Sequence, residues 1–224
     1  MCFSPQADFT AGTAVALVGV ETLRRVPARR ELLIGALPLL FGLHQLVEGF
    51  VWLGVRGQVA AGVGSAATRA YLLFAHAALP VIVPVGFLLL EPDRDRARRL
   101  WPFVGVGGLL GLYMLWQVTQ FPVFASEQAH CIDYRTHAPD GYLLPALYVL
   151  VTCGPPLLSS LRYLRWFGAL NLLGAGGTAL VRAEELTSLW CVYAALVSVL
   201  VLAHFRRRHA SAAARAAPAL SRAM

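Results

Sequence analysis

The sequence predicts an all-α protein, a seven-helix transmembrane bundle with its N-terminus outside the cell and its C-terminus in the cytoplasm. Three observations lead to this fold class. Apolar residues make up 58% of the chain and charged residues only 14%, whereas about 25% is usual in soluble domains. Seven runs of roughly twenty mostly apolar residues each have the length of a membrane-spanning helix. Arginines collect after alternate runs, which indicates one orientation.

The seven runs divide the chain into one membrane domain and a short tail. The predicted helices cover about residues 9–26, 31–53, 69–90, 100–120, 141–160, 166–182 and 187–205. The seven-span membrane domain is therefore expected over about 1–205, and the basic segment 206–224 is expected to be a disordered cytoplasmic tail. The longest connection lies at about 121–141, and a loop of that length between helices is often functional.

The orientation follows from the positions of the nineteen basic residues, all of which are arginine. Fifteen of them follow the first, third, fifth and seventh runs, and four follow the others. Arginine-rich loops remain on the cytoplasmic side, and an odd number of spans then leaves the N-terminus outside. The net charge of +7 is thus explained by the membrane surface, so the lipid bilayer is the expected partner and nucleic acid is not. The absence of lysine excludes a rhodopsin-like Schiff base.

The second run contains a histidine and a glutamate among apolar residues. His44, Glu48 and Trp52 are spaced four residues apart and share one helix face, with Gln45 beside them. Ionisable groups inside a membrane helix are costly and commonly mark a functional site. We therefore expect this face to line a polar pocket, with Glu48 as the candidate catalytic residue.

Antiparallel packing of the runs predicts that further polar residues lie at the same depth, in the outer half of the membrane. His76 in the third run matches the depth of His44, and Cys191 enters from the outer side in the seventh run. Gln117 and Trp190 are expected to line the same pocket, which opens outward.

Three interpretations of these residues remain open. In the first, His44, Glu48, His76 and Cys191 bind zinc, copper or iron. Such a metal, with an open coordination position, would activate water for hydrolysis within the membrane. On this interpretation the protein is a metal-dependent membrane hydrolase.

The other two interpretations need no metal. In one, Cys2 and Cys131 face an oxidising compartment, where they form a disulfide or remain outer thiols. In the other, Glu48 is hydrogen-bonded to neighbouring histidines or glutamines. It then serves helix packing or exchanges protons in a non-enzymatic protein that binds or transports an ion or small molecule.

Short motifs along nearly the whole chain carry a family resemblance. They are Met1-Cys2-Phe3-Ser4, Gln45-Leu46-Val47-Glu48-Gly49 with Val51-Trp52, and Ser188-Leu189-Trp190-Cys191 followed by His204-Phe205. With these motifs the chain resembles an uncharacterised family of bacterial multi-spanning membrane proteins, a domain of unknown function. The resemblance implies a multi-pass protein of the bacterial inner membrane and brings no known activity. The family pattern has glutamine at the position of His44, so the resemblance favours Glu48 over that histidine.

Overall fold

The computed structural model describes residues 4–128, 131–139, 141–181 and 197–209, and these residues are mostly helical. The described helices, in chain order, are α1 Pro5–Leu23, α2 Leu32–Val55, α3 Ala61–Leu72, α4 Leu79–Leu90, α5 Arg94–Gln120, α6 Leu143–Leu158, α7 Arg162–Val181 and α8, 199–209. A 3₁₀ turn, Arg29–Glu31, precedes α2, and a π-helical segment, Leu73–Ala78, joins α3 to α4. The basic residues 206–208, which open the predicted tail, are helical.

Several helices begin earlier than the apolar runs predict, for local reasons. The third run was expected from about 69, but its helix begins at Ala61, directly after Ala60. The weakly apolar segment 61–68 is packed against α2, where Gly64 lies against Gly54. The fourth was expected from about 100, but α5 begins at Arg94 with six residues of which five are charged. The Asp93 carboxylate caps this first turn by accepting from the Asp95 and Arg96 amides. Counting apolar runs misses a first turn made of charged residues.

Three described helices are long and apolar enough to cross a membrane: Arg29–Val55, Ala61–Leu90 and Arg94–Gln120. They correspond to the second, third and fourth predicted runs. A shorter apolar helix, Leu143–Leu158, corresponds to the fifth. The predicted total of seven spans stays a prediction, and most of the seventh run lies outside the described residues.

Polar contacts gather the helix connections at two opposite ends. At what we call the arginine end, Arg208 bonds Glu31 at 2.6 Å, while the Ser159 hydroxyl donates to Glu91 at 3.0 Å. The first contact joins the connection before α2 to the end of α8, and the second joins the connections after α4 and after α6. At the other end, which we call the hairpin end, Arg56 after α2 bonds Glu127 after α5 at 2.7 Å. The three long helices Arg29–Val55, Ala61–Leu90 and Arg94–Gln120 therefore run in alternating directions.

The connection after α5 contains strands, which the all-α prediction did not include. Strands β1 Phe124–Gln128 and β2 Cys131–Arg135 pair antiparallel, with Ala125 opposite Tyr134 and Glu127 opposite Ile132. Ile132 is buried and contributes to an apolar cluster with Trp52, Tyr71 and Val118. The hairpin is thereby fixed to α2, α3 and α5.

The π segment is packed closely against α5 and α6. The Tyr148 hydroxyl of α6 donates to the Ala75 carbonyl at 2.6 Å. Gly107 of α5 lies against the start of α4, where a Cβ at this glycine would come within 2.1 Å of the Pro80 carbonyl oxygen. Gly108, one residue further along α5, has no neighbour within 4 Å of its Cβ position. Close approach of α5 thus depends on one glycine of this adjacent pair.

We predict that Gly107→Ala lowers the unfolding free energy by about 1–3 kcal/mol, because the added methyl group forces α5 away from a backbone carbonyl. Gly108→Ala is the matched control: its methyl group meets no neighbour, and alanine favours the helix by roughly 0.4–1 kcal/mol. Thermal unfolding of both variants in the same detergent tests this. Equal stability of the two variants would contradict the packing described here.

Candidate functional site

The polar face of α2 points into the protein. His44, Gln45, Glu48 and Trp52 are all buried, and Glu48 and Trp52 have no exposed surface. The sequence produces this face through helical spacing, since residues four apart lie one above another. A carboxyl group removed from water needs hydrogen-bond partners, which these neighbours and the hairpin provide.

Two described side chains donate to the two oxygens of the Glu48 carboxyl group. The Gln45 amide nitrogen donates to Oε2 at 3.3 Å, and the Tyr134 hydroxyl donates to Oε1 at 3.4 Å. Gln45 comes from the preceding turn of the same helix, while Tyr134 comes from β2. Among the described residues, the hairpin therefore supplies a partner of Glu48 from a distant part of the chain.

Three aromatic rings from three elements stack beside this carboxyl group. The His44 ring lies 3.9 Å from the Tyr71 ring at an interplanar angle of 18°. On the other side, Tyr71 stacks on Tyr134 at 4.4 Å and 10°. Phe74 also contacts His44, at 4.7 Å. The stack joins α2, α3 and β2 and sets the direction in which the Tyr134 hydroxyl points.

An arginine at the end of α2 joins this helix to the hairpin. The Arg56 guanidinium donates through Nε and a terminal nitrogen to the Glu127 carboxylate, at 3.0 and 2.7 Å. The same guanidinium lies 4.7 Å from the centre of the Trp52 ring. Hydrogen bonding to Glu127 raises the pKa of Arg56 above its usual value. Arg56 therefore ties β1 to α2 directly above the buried face.

His76 and Gln117 each make contacts of their own, and His76 also interacts electrostatically with His44. His76 lies in the π segment, edge-on to Tyr148 with ring centres 6.4 Å apart. Gln117 is buried in α5, and its amide donates to the Tyr113 hydroxyl at 2.8 Å. A π turn holds more residues than an α turn. The predicted depth of His76 in the membrane therefore does not say which way its side chain points.

Five buried polar atoms of the predicted site residues have no hydrogen-bond partner. They are His44 Nε2, Gln45 Oε1, Trp52 Nε1, His76 Nδ1 and Gln117 Oε1. Buried polar groups are satisfied in the great majority of cases, so such atoms call for an explanation in terms of a water, an ion or a ligand. Two of the five belong to the turn of α2 that also carries Glu48.

Within the described ranges, no group of three or more histidine, cysteine, aspartate or glutamate side chains is placed to hold a metal ion. The predicted fourth ligand Cys191 lies outside those ranges, as do Trp190 and Cys2. Cys131 is buried at the start of β2. The metal set and the outer thiol pair therefore stay predictions.

Sequence reasoning missed Tyr71 and Tyr134, the two tyrosines of the stack. The alternating pattern of Cys131-Ile132-Asp133-Tyr134-Arg135 was a usable signal, because alternation in a segment between helices indicates a strand with one buried face. Tyr71 had no comparable signal, since an aromatic residue in an apolar helix is usual.

We predict that Glu48 and Tyr134 are energetically coupled. A double-mutant cycle with Glu48→Leu and Tyr134→Phe should give a coupling energy of about 0.5–1.5 kcal/mol, the usual net value of a hydrogen bond. The matched control pairs Glu48→Leu with Tyr142→Phe, because Tyr142 is 91% exposed. Coupling should vanish in the control, and its absence in both cycles would exclude the hydrogen bond.

Comparison with known proteins gives one match. The model of the Family of unknown function (DUF6629) matches residues 1–217. No curated protein and no solved structure matches the chain. The family match covers nearly the whole sequence, which agrees with the expectation of a family without a known activity. The chain therefore belongs to the DUF6629 family of unknown function.

Proposed function

We propose that this protein is a multi-pass membrane protein that binds a small hydrogen-bond donor or cation at Glu48, without catalysing a reaction. The proposed architecture is the seven-span bundle with its N-terminus outside, in the bacterial inner membrane. The observation that carries the proposal is the fully buried Glu48 carboxyl group beside unpartnered polar atoms of His44 and Gln45.

The proposed topology is supported by the agreement between contacts and charge. The arginine end includes the connections that carry Arg24, Arg29, Arg94 and Arg162, and the hairpin end carries fewer arginines. Basic connections stay in the cytoplasm, so the arginine end is the inner end. The hairpin and Glu48 then belong to the outer half of the membrane.

Binding at Glu48 is supported by the chemistry of the neighbouring atoms. The carboxylate oxygens and Gln45 Oε1 are hydrogen-bond acceptors, and His44 Nε2 is an acceptor in one neutral tautomer. A cluster of acceptors with little water around it favours a ligand that brings donors or positive charge. Ionisable groups at this depth commonly mark ligand, ion or proton sites.

A metal-dependent hydrolase is the second candidate, and it is favoured by one specific observation. His44 Nε2 has no partner and lies one helical turn from Glu48, so the two residues could supply two ligands to zinc, copper or iron. A catalytic zinc site commonly uses three protein ligands. The third would have to come from His76 or Cys191, as the sequence predicts.

We predict that the two ends face opposite sides of the membrane. Ser126→Cys, at an exposed position of β1, should react with a membrane-impermeant maleimide on intact spheroplasts. Arg98→Cys, at an exposed position of the arginine end, should react only after permeabilisation. Labelling is compared with the parent chain, which accounts for native cysteines. The reverse pattern would invert the proposed orientation.

We predict that dicyclohexylcarbodiimide, a small apolar reagent that adds to protonated carboxyl groups, modifies Glu48. Peptide mass spectrometry should find the acylurea adduct at Glu48 and none at that position in Glu48→Gln. Glu91 is the matched packing control, because the Ser159 hydroxyl and the backbone amides of Ser160 and Asp93 donate to its carboxylate. Modification of Glu48 no faster than that of Glu91 would show that Glu48 serves packing.

Elemental analysis separates the two candidate functions. We predict that the purified protein contains less than stoichiometric zinc, copper and iron after exposure to each metal, and that His76→Ala leaves this content unchanged. One bound metal per chain, lost in both Glu48→Ala and His76→Ala, would instead establish the metal site and overturn the proposal.

A further inference from the structure

The structure assigns a ligand class to the Glu48 site: a small aromatic molecule with a hydrogen-bond donor on its ring, such as a phenol or an arylamine. We propose that Tyr134 occupies the position of this ligand and that the ligand displaces it. The inference rests on the proposed function, because it names what binds at Glu48.

The argument begins with the parts of the site that do not depend on the hairpin. His44 on α2 and Tyr71 on α3 form a stacked pair with ring centres 3.9 Å apart. Both rings are buried, and both lie on helices that pack along their length. Glu48 lies one turn from His44 on the same helix, so α2 and α3 provide an aromatic surface with a carboxyl group at its edge.

Tyr134 shows which chemistry this surface accepts. Its ring lies flat on Tyr71, at 4.4 Å and 10°, and its hydroxyl donates to Glu48 Oε1 at 3.4 Å. A free phenol or arylamine has the same two features, a flat ring and a donor in the ring plane. Offset stacking and a donor to a buried carboxylate are favourable for either molecule.

The position of Tyr134 in the hairpin allows a ligand to take the place of its ring. Tyr134 is the fourth of the five residues of β2 and is only partly buried, whereas Ile132 is 1% exposed. The facing strand β1 is mostly exposed. The Arg56–Glu127 pair that holds β1 is itself about one third exposed at each side chain, and such pairs contribute little to stability. Glu127 faces Ile132 across the hairpin, whereas Tyr134 faces Ala125. Displacement of the Tyr134 ring is therefore confined to the part of β2 beyond Ile132, and the Arg56–Glu127 pair and Ile132 stay in place.

The Tyr134–Glu48 hydrogen bond is long. At 3.4 Å it exceeds the 2.5–2.7 Å typical of a hydroxyl bonded to a carboxylate. A ligand that is not part of the chain can come closer to Glu48 and form a shorter bond, so it can compete with the tyrosine.

The test uses the full-length protein in detergent, with 4-methylphenol as the probe and toluene as the probe without a donor. Tyr134→Ala removes the ring and should bind 4-methylphenol at least about tenfold more tightly than the wild type does, because the competing side chain is gone. The same variant should prefer 4-methylphenol to toluene by at least about tenfold, because toluene offers no hydroxyl to replace the hydrogen bond that Tyr134 makes to Glu48. Calorimetric titration measures both ratios. Tyr142→Ala, which removes an exposed ring, should bind as the wild type does.

A second variant and a second measurement keep the test decisive. Tyr134→Val also removes the ring but retains a residue that favours strands, so it replaces Tyr134→Ala if that variant does not fold. In either variant, 4-methylphenol should protect Glu48 from carbodiimide modification. Equal affinity for toluene and 4-methylphenol, or no protection, would overturn the ligand class. Carbodiimide that fails to reach Glu48 even without the Tyr134 ring would instead overturn the proposed function.

Discussion

A carboxyl group that is fully removed from water must be given hydrogen-bond partners, and Glu48 imposes this requirement on the hairpin end of the protein. Gln45 meets part of it from the preceding helical turn. The remaining described donor, Tyr134, comes from a strand 86 residues further along the chain. One buried glutamate thus makes the position of the hairpin, and the stacking of Tyr134 on Tyr71, part of the same arrangement.

The arginine end shows a different use of buried carboxyl groups. Glu31 and Glu91 are both nearly buried, but each is paired with a group from another connection: Arg208 for Glu31, and Ser159 for Glu91. These contacts join helix ends, although Nε2 of the buried His204 in α8 has no hydrogen-bond partner. On the α2 face two such atoms, from His44 and Gln45, belong to the helical turn that carries a buried carboxyl group. This combination of unpartnered atoms with a carboxyl group is the reason for proposing ligand binding at the hairpin end.

The π segment contacts both α6 and the polar face of α2. Its wider turn leaves the Ala75 carbonyl to accept from Tyr148, and Gly107 allows α5 to approach the backbone that follows it. Phe74 of the same segment contacts His44, while His76 faces Tyr148. Phe74 and His76 therefore face different neighbours, as residues two positions apart also do in a regular α-helix.

The sequence alone determined that the chain is mostly helical, where the three long apolar helices lie, and that one face of α2 carries the polar residues. These properties follow from composition and helical spacing, which are local. Only the tertiary structure decided that β1 and β2 form a hairpin and that Tyr134 reaches Glu48. Both depend on contacts between distant parts of the chain. Such contacts cannot be read from the spacing of residues within one apolar run.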